Sequence, residues 1–268
     1  MRPHVRGNLI QKLSPCLEWL FAEAGRPFAD RVRAAAAAGF TKVDFWTTSD
    51  KDVDGLERAI RESGVEVTSF VSEPTARIVD PGTHDEFVEG VRRSAKIAGR
   101  LSARNLIVLS GDELPGVARG NQRNAIVEAL MRAAPIAADA GVGLVLEPLN
   151  TIVDHRGYFL DSTSEGLEIV RVVGEPSVRL LYDMYHSIVM GEDPATVLTD
   201  AGGLVGHVHI ADAPGRHEPG SGTIDWPKQL SALRMAGYDG PLGLEYIPLQ
   251  DTESSLRLLD LAFVRPGK

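Results

Sequence analysis

Short apolar runs alternate with longer amphipathic stretches along most of the chain. The apolar runs have the length of buried strands, and the amphipathic stretches have the periodicity of helices that pack on one side. This alternation predicts parallel β-α units. The predicted strands are GNLI (7–10), KVDFW (42–46), EVTSFVS (66–72), NLIVLSG (105–111), GLVLEPL (143–149), VRLLYDM (178–184), GHVHIAD (206–212) and PLGLEYI (241–247).

Helices are predicted between these strands. Several of the amphipathic stretches end at a glycine and two begin after an aspartate or a serine, which are common stop and start signals of helices. The predicted helical stretches are residues 27–40, 53–63, 84–99, 122–141, 164–173, 226–237 and 254–263.

The number of units predicts the fold class. About eight β-α units in a chain of 268 residues match one (β/α)8 TIM barrel. No sequence repeat, low-complexity segment or linker rich in glycine and proline divides the chain, so one domain over residues 1–268 is expected. An open doubly wound sheet would carry a glycine-rich phosphate turn after its first strand. The segment QKLSPCLEWLFAEAG, which follows the first predicted strand, contains no such turn.

Composition narrows the classes of partner. The net charge of −9 leaves no basic stripe for nucleic acid or an anionic membrane, so a small molecule is the expected partner. The single cysteine, Cys16, excludes an intramolecular disulfide and a thiolate metal cluster, which suits a cytoplasmic protein. The N-terminal MRPHVRGNLIQ lacks the apolar core of a signal peptide, and no apolar run approaches the roughly 20 residues that span a bilayer.

Polar residues end four consecutive predicted strands. They are Glu147, Asp183, His209 and Glu245. Chemistry in a TIM barrel lies at the carboxyl ends of its strands. Because side chains alternate along a strand, inward-facing residues two positions earlier would bring all four polar groups to the same inner rim. Any one of them alone could simply end a strand or cap a turn, but four in succession favour a shared site.

The chemistry of this set predicts a metal. Three carboxylates and one imidazole in one cavity would repel each other unless a cation lay among them. Oxygen-dominated ligation without sulfur favours Mg²⁺ or Mn²⁺, with Co²⁺ as a third candidate and Zn²⁺ less favoured. His207 shares the strand face of His209 but lies one pleat deeper, so we expect it to be a hydrogen-bonded histidine behind the site.

Two further residues are candidates for substrate binding. His186 follows Asp183 by three residues, where the strand has turned into a loop, so its ring could reach over the metal toward a ligand. Arg216 lies in a loop rich in glycine and proline after His209, and its guanidinium suits a hydroxyl, carbonyl or carboxylate group. Glu73, His155 and Trp19 also fall in rim loops, but single residues of these types are weak signals and are expected to be structural.

These residues lie in motifs that resemble a known superfamily. The motifs are LEPLN (146–150), YDMYH (182–186), GHVHIAD (206–212), RHEPGSGTIDW (216–226) and GLEYIP (243–248). In order and spacing over most of the chain they resemble the xylose-isomerase-like TIM barrels, most closely the hydroxypyruvate isomerases and next the ketose 3-epimerases.

The resemblance implies roles for individual residues. It implies that Glu147, Asp183, His209 and Glu245 bind the metal and that the two glutamates flank the substrate as acid and base. His186 and Arg216 would contact substrate oxygens. Some hydroxypyruvate isomerases have glutamine at the position of His209, and histidine there is typical of the epimerases. Members of the family are often oligomeric, and a homo-oligomer is compatible with the resemblance.

The predicted chemistry is proton transfer next to a carbonyl group. A divalent cation that chelates an α-hydroxy carbonyl compound makes its C–H more acidic by stabilising the enediolate. Reprotonation at the neighbouring carbon isomerises the substrate, whereas reprotonation of the same carbon from the other face gives an epimer. The first case, with hydroxypyruvate converted to tartronate semialdehyde, is the expected function, and a ketose 3-epimerase is the alternative.

Other functional classes are less favoured. A metal-dependent polyol dehydratase would use the same carbanion to expel a β-hydroxyl group. A non-catalytic binding barrel would be expected to have lost Glu147 or Glu245, and both are present. The zinc-dependent endonucleases of the superfamily collect extra histidines at the ends of early strands, where this chain has only VDFWTT and TSFVSE.

Overall fold

The computed structural model describes residues 12–264. Its strands are β1 (Leu13–Pro15), β2 (Lys42–Val43), β3 (Glu66–Val67), β4 (Ser69–Val71), β5 (Asn105–Leu109), β6 (Gly143–Glu147), β7 (Val178–Asp183), β8 (Val205–Ile210) and β9 (Leu242–Leu244). Its α-helices are α1 (Phe28–Ala37), α2 (Val53–Ser63), α3 (His84–Leu101), α4 (Arg119–Asp139), α5 (Thr163–Val173), α6 (Met184–Val189), α7 (Pro194–Val197), α8 (Trp226–Met235) and α9 (Thr252–Val264). Short 3-10 turns span Glu23–Gly25 and Pro81–Thr83.

The strands form a closed parallel barrel. Seven of them pair in the order β1-β9-β8-β7-β6-β5-β4, and β2 pairs with β3. Only Thr68 separates β3 from β4, so these two strands occupy one position in the ring. The ring closes at β2, because Asp44 N donates to Pro15 O (3.1 Å) and Phe45 N donates to Ser69 O (3.4 Å). The predicted TIM barrel is confirmed, whereas the extent of one domain over residues 1–268 stays a prediction.

The first strand differs from its prediction. The predicted strand at residues 7–10 lies outside the described residues. The first described strand, Leu13–Pro15, falls in QKLSPCLEWLFAEAG, for which the pattern predicts no strand, and this part of the prediction is wrong. Leu13 pairs with Leu242 in the barrel. Three residues that include a serine and a proline are too few and too mixed to show a strand pattern.

The helix signals act as predicted. Asp52 Oδ1 accepts a 3.0 Å hydrogen bond from Gly55 N at the start of α2, and Ser162 caps α5. Both helices end in the left-handed conformation that glycine adopts without strain, with φ of 67° at Gly64 and at Gly174. The short helices α6 and α7 are not predicted by the pattern, because six and four residues show too little periodicity.

The interior of the barrel is filled by a small apolar cluster, separate from the larger core that the helices cover. This cluster comprises Val71, Ile107, Val145 and Leu181. Val145 and Leu181 precede Glu147 and Asp183 by two residues, so the predicted alternation holds and the carboxylates lie one layer above the apolar floor. Among the described residues, no helix is both long and apolar enough to cross a bilayer.

Candidate active site

Four residues from consecutive strands converge at the carboxyl end of the barrel, as predicted. They are Glu147, Asp183, His209 and Glu245, and all four are buried. One ligand atom of each lies within 4.8 Å of those of the others. His209 lies between the two glutamates, with Nδ1 3.7 Å from Glu147 Oε1 and 3.4 Å from Glu245 Oε2.

The strand register brings these side chains together. Glu147 and Asp183 are the last residues of β6 and β7, His209 lies in β8, and Glu245 directly follows β9. Asp183 pairs with His209, which pairs in turn with Gly243. A Cβ atom on Gly243 would overlap the His209 ring and lie 2.8 Å from Asp44 Oδ2. The imidazole therefore depends on a glycine at the neighbouring register position.

The two carboxylate oxygens of Asp183 have different contacts. Oδ1 caps α6 by accepting hydrogen bonds from Tyr185 N (2.8 Å) and His186 N (3.1 Å). Oδ2 faces the site, 3.4 Å from an Arg216 nitrogen and 3.6 Å from His186 Nε2. The cap fixes the orientation of the carboxylate and places His186 above the site.

His186 presents a neutral imidazole to the cavity. Asn150 N donates to its Nδ1 (3.2 Å), so the ring proton resides on Nε2. Nε2 is buried and has no hydrogen-bond partner among the described residues. Burial, reinforced by the charge of Arg216, lowers the pKa of His186 well below its usual value. An N–H donor is therefore available to a ligand oxygen.

Arg216 reaches the site from the loop after β8. Its guanidinium bonds to Glu245 and lies 5.1 Å from the ring centres of both Trp19 and Tyr185. The Arg216 backbone has φ of 57°, a conformation that is uncommon outside glycine. The loop therefore holds this side chain inward, between two aromatic faces and the carboxylates.

The two glutamates differ in their electrostatic surroundings. Burial, followed by the charge of Glu245, raises the pKa of Glu147 to about 7, although His209 opposes the shift. Burial also acts to raise the pKa of Glu245, but Arg216 and His209 outweigh it and hold that pKa well below its usual range. The glutamates raise the pKa of His209 well above its usual value despite its burial, and burial raises that of Asp183.

The residues at this rim fit a divalent cation. Both ring nitrogens of His209 are buried without a hydrogen-bond partner among the described residues. Such orphaned nitrogens are costly unless a ligand or metal satisfies them. The three carboxyl groups outnumber the two cationic side chains beside them, Arg216 and a protonated His209. Their oxygens together with one imidazole nitrogen form a usual donor set for such ions.

His207 and Asp44 lie beneath the rim. His207 is fully buried, as expected for a histidine behind the site, with Nε2 3.8 Å from Asp44 Oδ2. The expected hydrogen bond is not formed, because neither ring nitrogen has a partner among residues 12–264. One ligand atom each of Asp44, His207 and His209 also lies within 4.8 Å of the others.

A cavity of about 420 Å³ opens above the glutamates. Glu147, Glu245, His186 and Arg216 line it, together with Trp19, Trp46, Asp154 and His155. Trp19 and His155 were expected to be structural, and the sequence pattern did not single out Trp46 or Asp154. A signal existed for Trp46, because it ends the predicted strand KVDFW and therefore falls on the same rim. Glu73 Oε2 accepts hydrogen bonds from the backbone N–H groups of Thr48 and Ser49, and Glu73 does not line this cavity.

Comparisons with known proteins agree with this geometry. A family model described as Xylose isomerase-like TIM barrel matches residues 32–261. Hydroxypyruvate isomerase of Escherichia coli K12 is 29% identical in sequence, and the alignment covers 93% of this chain and 98% of that enzyme. The 2-oxo-tetronate isomerase of Cupriavidus necator is 32% identical, and the alignment covers 85% of this chain and 90% of that enzyme. A solved structure from Brucella melitensis, named AP endonuclease, family 2, is 31% identical in sequence. It superposes with a TM-score of 0.84, and the superposition covers 92% of this chain and 96% of that protein.

Proposed function

Because the chain belongs to the xylose isomerase-like TIM barrel family, we propose that it is a metal-dependent isomerase of small α-hydroxy carbonyl acids, converting hydroxypyruvate to tartronate semialdehyde. The observation that carries this proposal is the pair of buried glutamates, Glu147 and Glu245, on either side of His209 at the mouth of the cavity. Relatives named hydroxypyruvate isomerase and 2-oxo-tetronate isomerase support the substrate class.

The proposed cofactor is Mg²⁺ or Mn²⁺, with Co²⁺ as a third candidate. Glu147, Asp183, His209 and Glu245 would hold it, and their oxygen-rich donor set without sulfur favours these ions. When bound, the cation polarises the oxygens of an α-hydroxy carbonyl group and stabilises the negative charge that develops when a C–H proton leaves.

Glu147 is the proposed base for the carbon-bound proton. Among residues 12–264 no group donates a hydrogen bond to its carboxylate, and His209 Nδ1 lies 3.7 Å from Oε1, so an oxygen is available to the substrate. As Glu147 takes the proton from C3 of hydroxypyruvate, the C–H electron pair forms the C2=C3 bond of the enediolate, and the carbonyl pair moves to the C2 oxygen.

The second half of the reaction restores a carbonyl group at C3. Glu147 returns a proton to C2, while the proton of the C3 hydroxyl passes through Glu245 to the C2 oxygen. Glu245 suits this transfer because its Oε2 faces the site, 3.4 Å from His209 Nδ1. The product is the aldehyde isomer, and both glutamates end in their starting states.

Arg216 and His186 are the proposed substrate-binding residues. A guanidinium pairs well with a carboxylate, and Arg216 is the arginine that lines the cavity beside the glutamates. The Nε2–H of His186 lies above Asp183, where it can donate to a substrate oxygen. These two residues would orient the acid so that its C3 faces Glu147.

The cavity volume is also large enough for a second class of substrate. A cavity of about 420 Å³ lies within the range of roughly 300–1,000 Å³ found for small-molecule sites, so a four-carbon acid or a ketose also fits. With a ketose, the same two glutamates would act on opposite faces of one carbon and the product would be an epimer.

Proton NMR of the Mg²⁺-loaded protein tests the proposal. Hydroxypyruvate, 2-oxo-tetronate and a panel of ketoses are each incubated with the protein, and new species are followed with time. We expect hydroxypyruvate to give its aldehyde isomer. Epimerisation of a ketose without turnover of either acid would overturn the substrate class, and no change in any compound would overturn the proposed function.

A further inference from the structure

Glu245 is held at both of its carboxylate oxygens by other side chains. The indole N–H of Trp46 donates a 2.6 Å hydrogen bond to Oε1, and Arg216 bonds to Oε2. The other glutamate of the site, Glu147, has no comparable donor among residues 12–264. The site is therefore built with one restrained glutamate and one free glutamate.

Trp46 is itself fixed from behind. Its backbone N–H donates to Glu18 Oε1 (3.1 Å), and the same oxygen bonds to Lys51 Nζ at 2.8 Å. The Lys51 side chain is only 3% exposed, and its ammonium group lies 4.5 Å from the Phe28 ring centre. A partly buried ion pair between Lys51 and Glu18 thus fixes the backbone from which the indole projects.

The indole also belongs to a closed ring of four side chains. Trp46 packs edge-on against Trp19 with 4.9 Å between ring centres, and the Arg216 guanidinium lies 5.1 Å from the Trp19 ring centre. Arg216 and Trp46 then bind the two oxygens of Glu245, which closes the ring. Rotation of the Glu245 carboxylate would break two of these contacts at once.

We propose that Trp46 is a positioning residue for Glu245, whose indole N–H fixes the carboxylate so that Oε2 alone faces the substrate. The inference rests on the proposed function for its catalytic consequence but not for the contact itself. Without the indole, Glu245 would rotate and would relay the hydroxyl proton poorly. The enediolate would then more often take a proton back at C3 than proceed to product.

The contact is tested first, without metal or substrate. The chain has three tryptophans, Trp19, Trp46 and Trp226, so its ¹H–¹⁵N spectrum has three indole signals, of which Trp46→Phe identifies one. We expect the Trp46 signal to move upfield in Glu245→Ala and to stay in place in Glu147→Gln. Trp226, which donates to Asp212 (2.9 Å), serves as an internal reference. An unmoved Trp46 signal in folded Glu245→Ala would overturn the proposal.

The consequence is tested in D₂O with the metal-loaded protein and hydroxypyruvate. For Trp46→Phe we expect kcat to fall about tenfold or more, which is the usual effect of losing a hydrogen bond to a charged group. KM should change little, and the ratio of deuterium exchange at C3 to product formation should rise. An equal loss of exchange and turnover, or a change in KM alone, would overturn the positioning role. If the wild-type protein turns over no substrate, the proposed function fails while the indole signals still decide the contact.

Discussion

His209 Nδ1 lies 3.4 Å from Glu245 Oε2, across the boundary between neighbouring barrel strands. This contact raises the pKa of the imidazole, with Glu147 as a second contributor, although burial acts in the opposite direction. In the metal-free protein the imidazolium and the carboxylates therefore stabilise one another. A cation that uses the same atoms has to displace the proton of His209, so metal binding and protonation are coupled.

The first prediction is that Mn²⁺ affinity rises with pH. Burial raises the pKa of Glu147 to about 7 and raises that of Asp183, so both keep their protons to a higher pH than ordinary carboxyl groups do. The cation must displace these protons, and the free-energy cost of doing so falls as the pH rises through the pKa of Glu147. Titration calorimetry from about pH 6 to about pH 8, in buffers of different ionisation enthalpy, should show tighter binding and fewer released protons at the higher pH.

The control for this experiment is the Glu147→Gln variant, which has no proton to lose at that position. Its Mn²⁺ affinity should be weaker and should depend less on pH. A wild-type affinity that stays constant over the same pH range would contradict the raised pKa of Glu147.

The second prediction concerns catalysis by Glu147. Glu147→Gln removes the proposed base but keeps the size of the side chain, so kcat should fall by about 10²–10⁴-fold while the circular dichroism spectrum is unchanged. Glu86→Gln on α3 is a matched control, because Glu86 is exposed and does not line the cavity. Substantial turnover by Glu147→Gln would show that another group takes the proton.

The third prediction separates the two roles of Asp183. Asparagine is also a good helix N-cap, so Asp183→Asn should preserve the bonds from Tyr185 N and His186 N that begin α6. The variant loses the charge of Oδ2, and its Mn²⁺ affinity should fall by more than about tenfold. Calorimetry measures the affinity and thermal unfolding measures the fold. Wild-type affinity with this substitution would remove Asp183 from the proposed ligands.

The fourth prediction concerns Gly243. In Gly243→Ala the new methyl group would overlap the His209 ring and press on Asp44, so the imidazole must move and Mn²⁺ affinity should fall. Gly99→Ala on α3 is the matched control, because a methyl group added there would meet no neighbouring atom within 4 Å. This control should retain affinity and gain about 0.4–1 kcal/mol of stability. Equal Mn²⁺ affinity in both variants would show that the space at Gly243 is not needed.

Much of the barrel follows from the sequence because each unit carries its own signals. Helix α2 begins and ends where its aspartate and glycine predict, and β6 and β7 end at their carboxylates. The first strand shows the limit of this reasoning. Ser14 and Pro15 are buried by pairing with a strand more than 200 positions away, and that contact leaves no local pattern.

The same distinction holds at the site. Glu147, Asp183, His209 and Glu245 were predictable as a set because strand ends in a barrel share one rim. Trp19 and His155 lie on irregular loops, whose paths no periodicity describes, and only the folded chain shows that they line the cavity. The bond from Trp46 to Glu245 joins residues that are 199 positions apart, and the sequence shows the position of each residue but not the contact.

Proton movement by Glu147 and Glu245 through an enediolate is tested most directly by the hydrogen isotope at C2 of the product. Mg²⁺-loaded protein is incubated with hydroxypyruvate in D₂O, and the tartronate semialdehyde is analysed by NMR and mass spectrometry at low conversion. We expect substantial deuterium at C2, because the proton taken by a carboxylate exchanges with solvent before it is returned. Product that carries only substrate hydrogen at C2 would contradict this mechanism and would indicate direct hydride transfer between the two carbons.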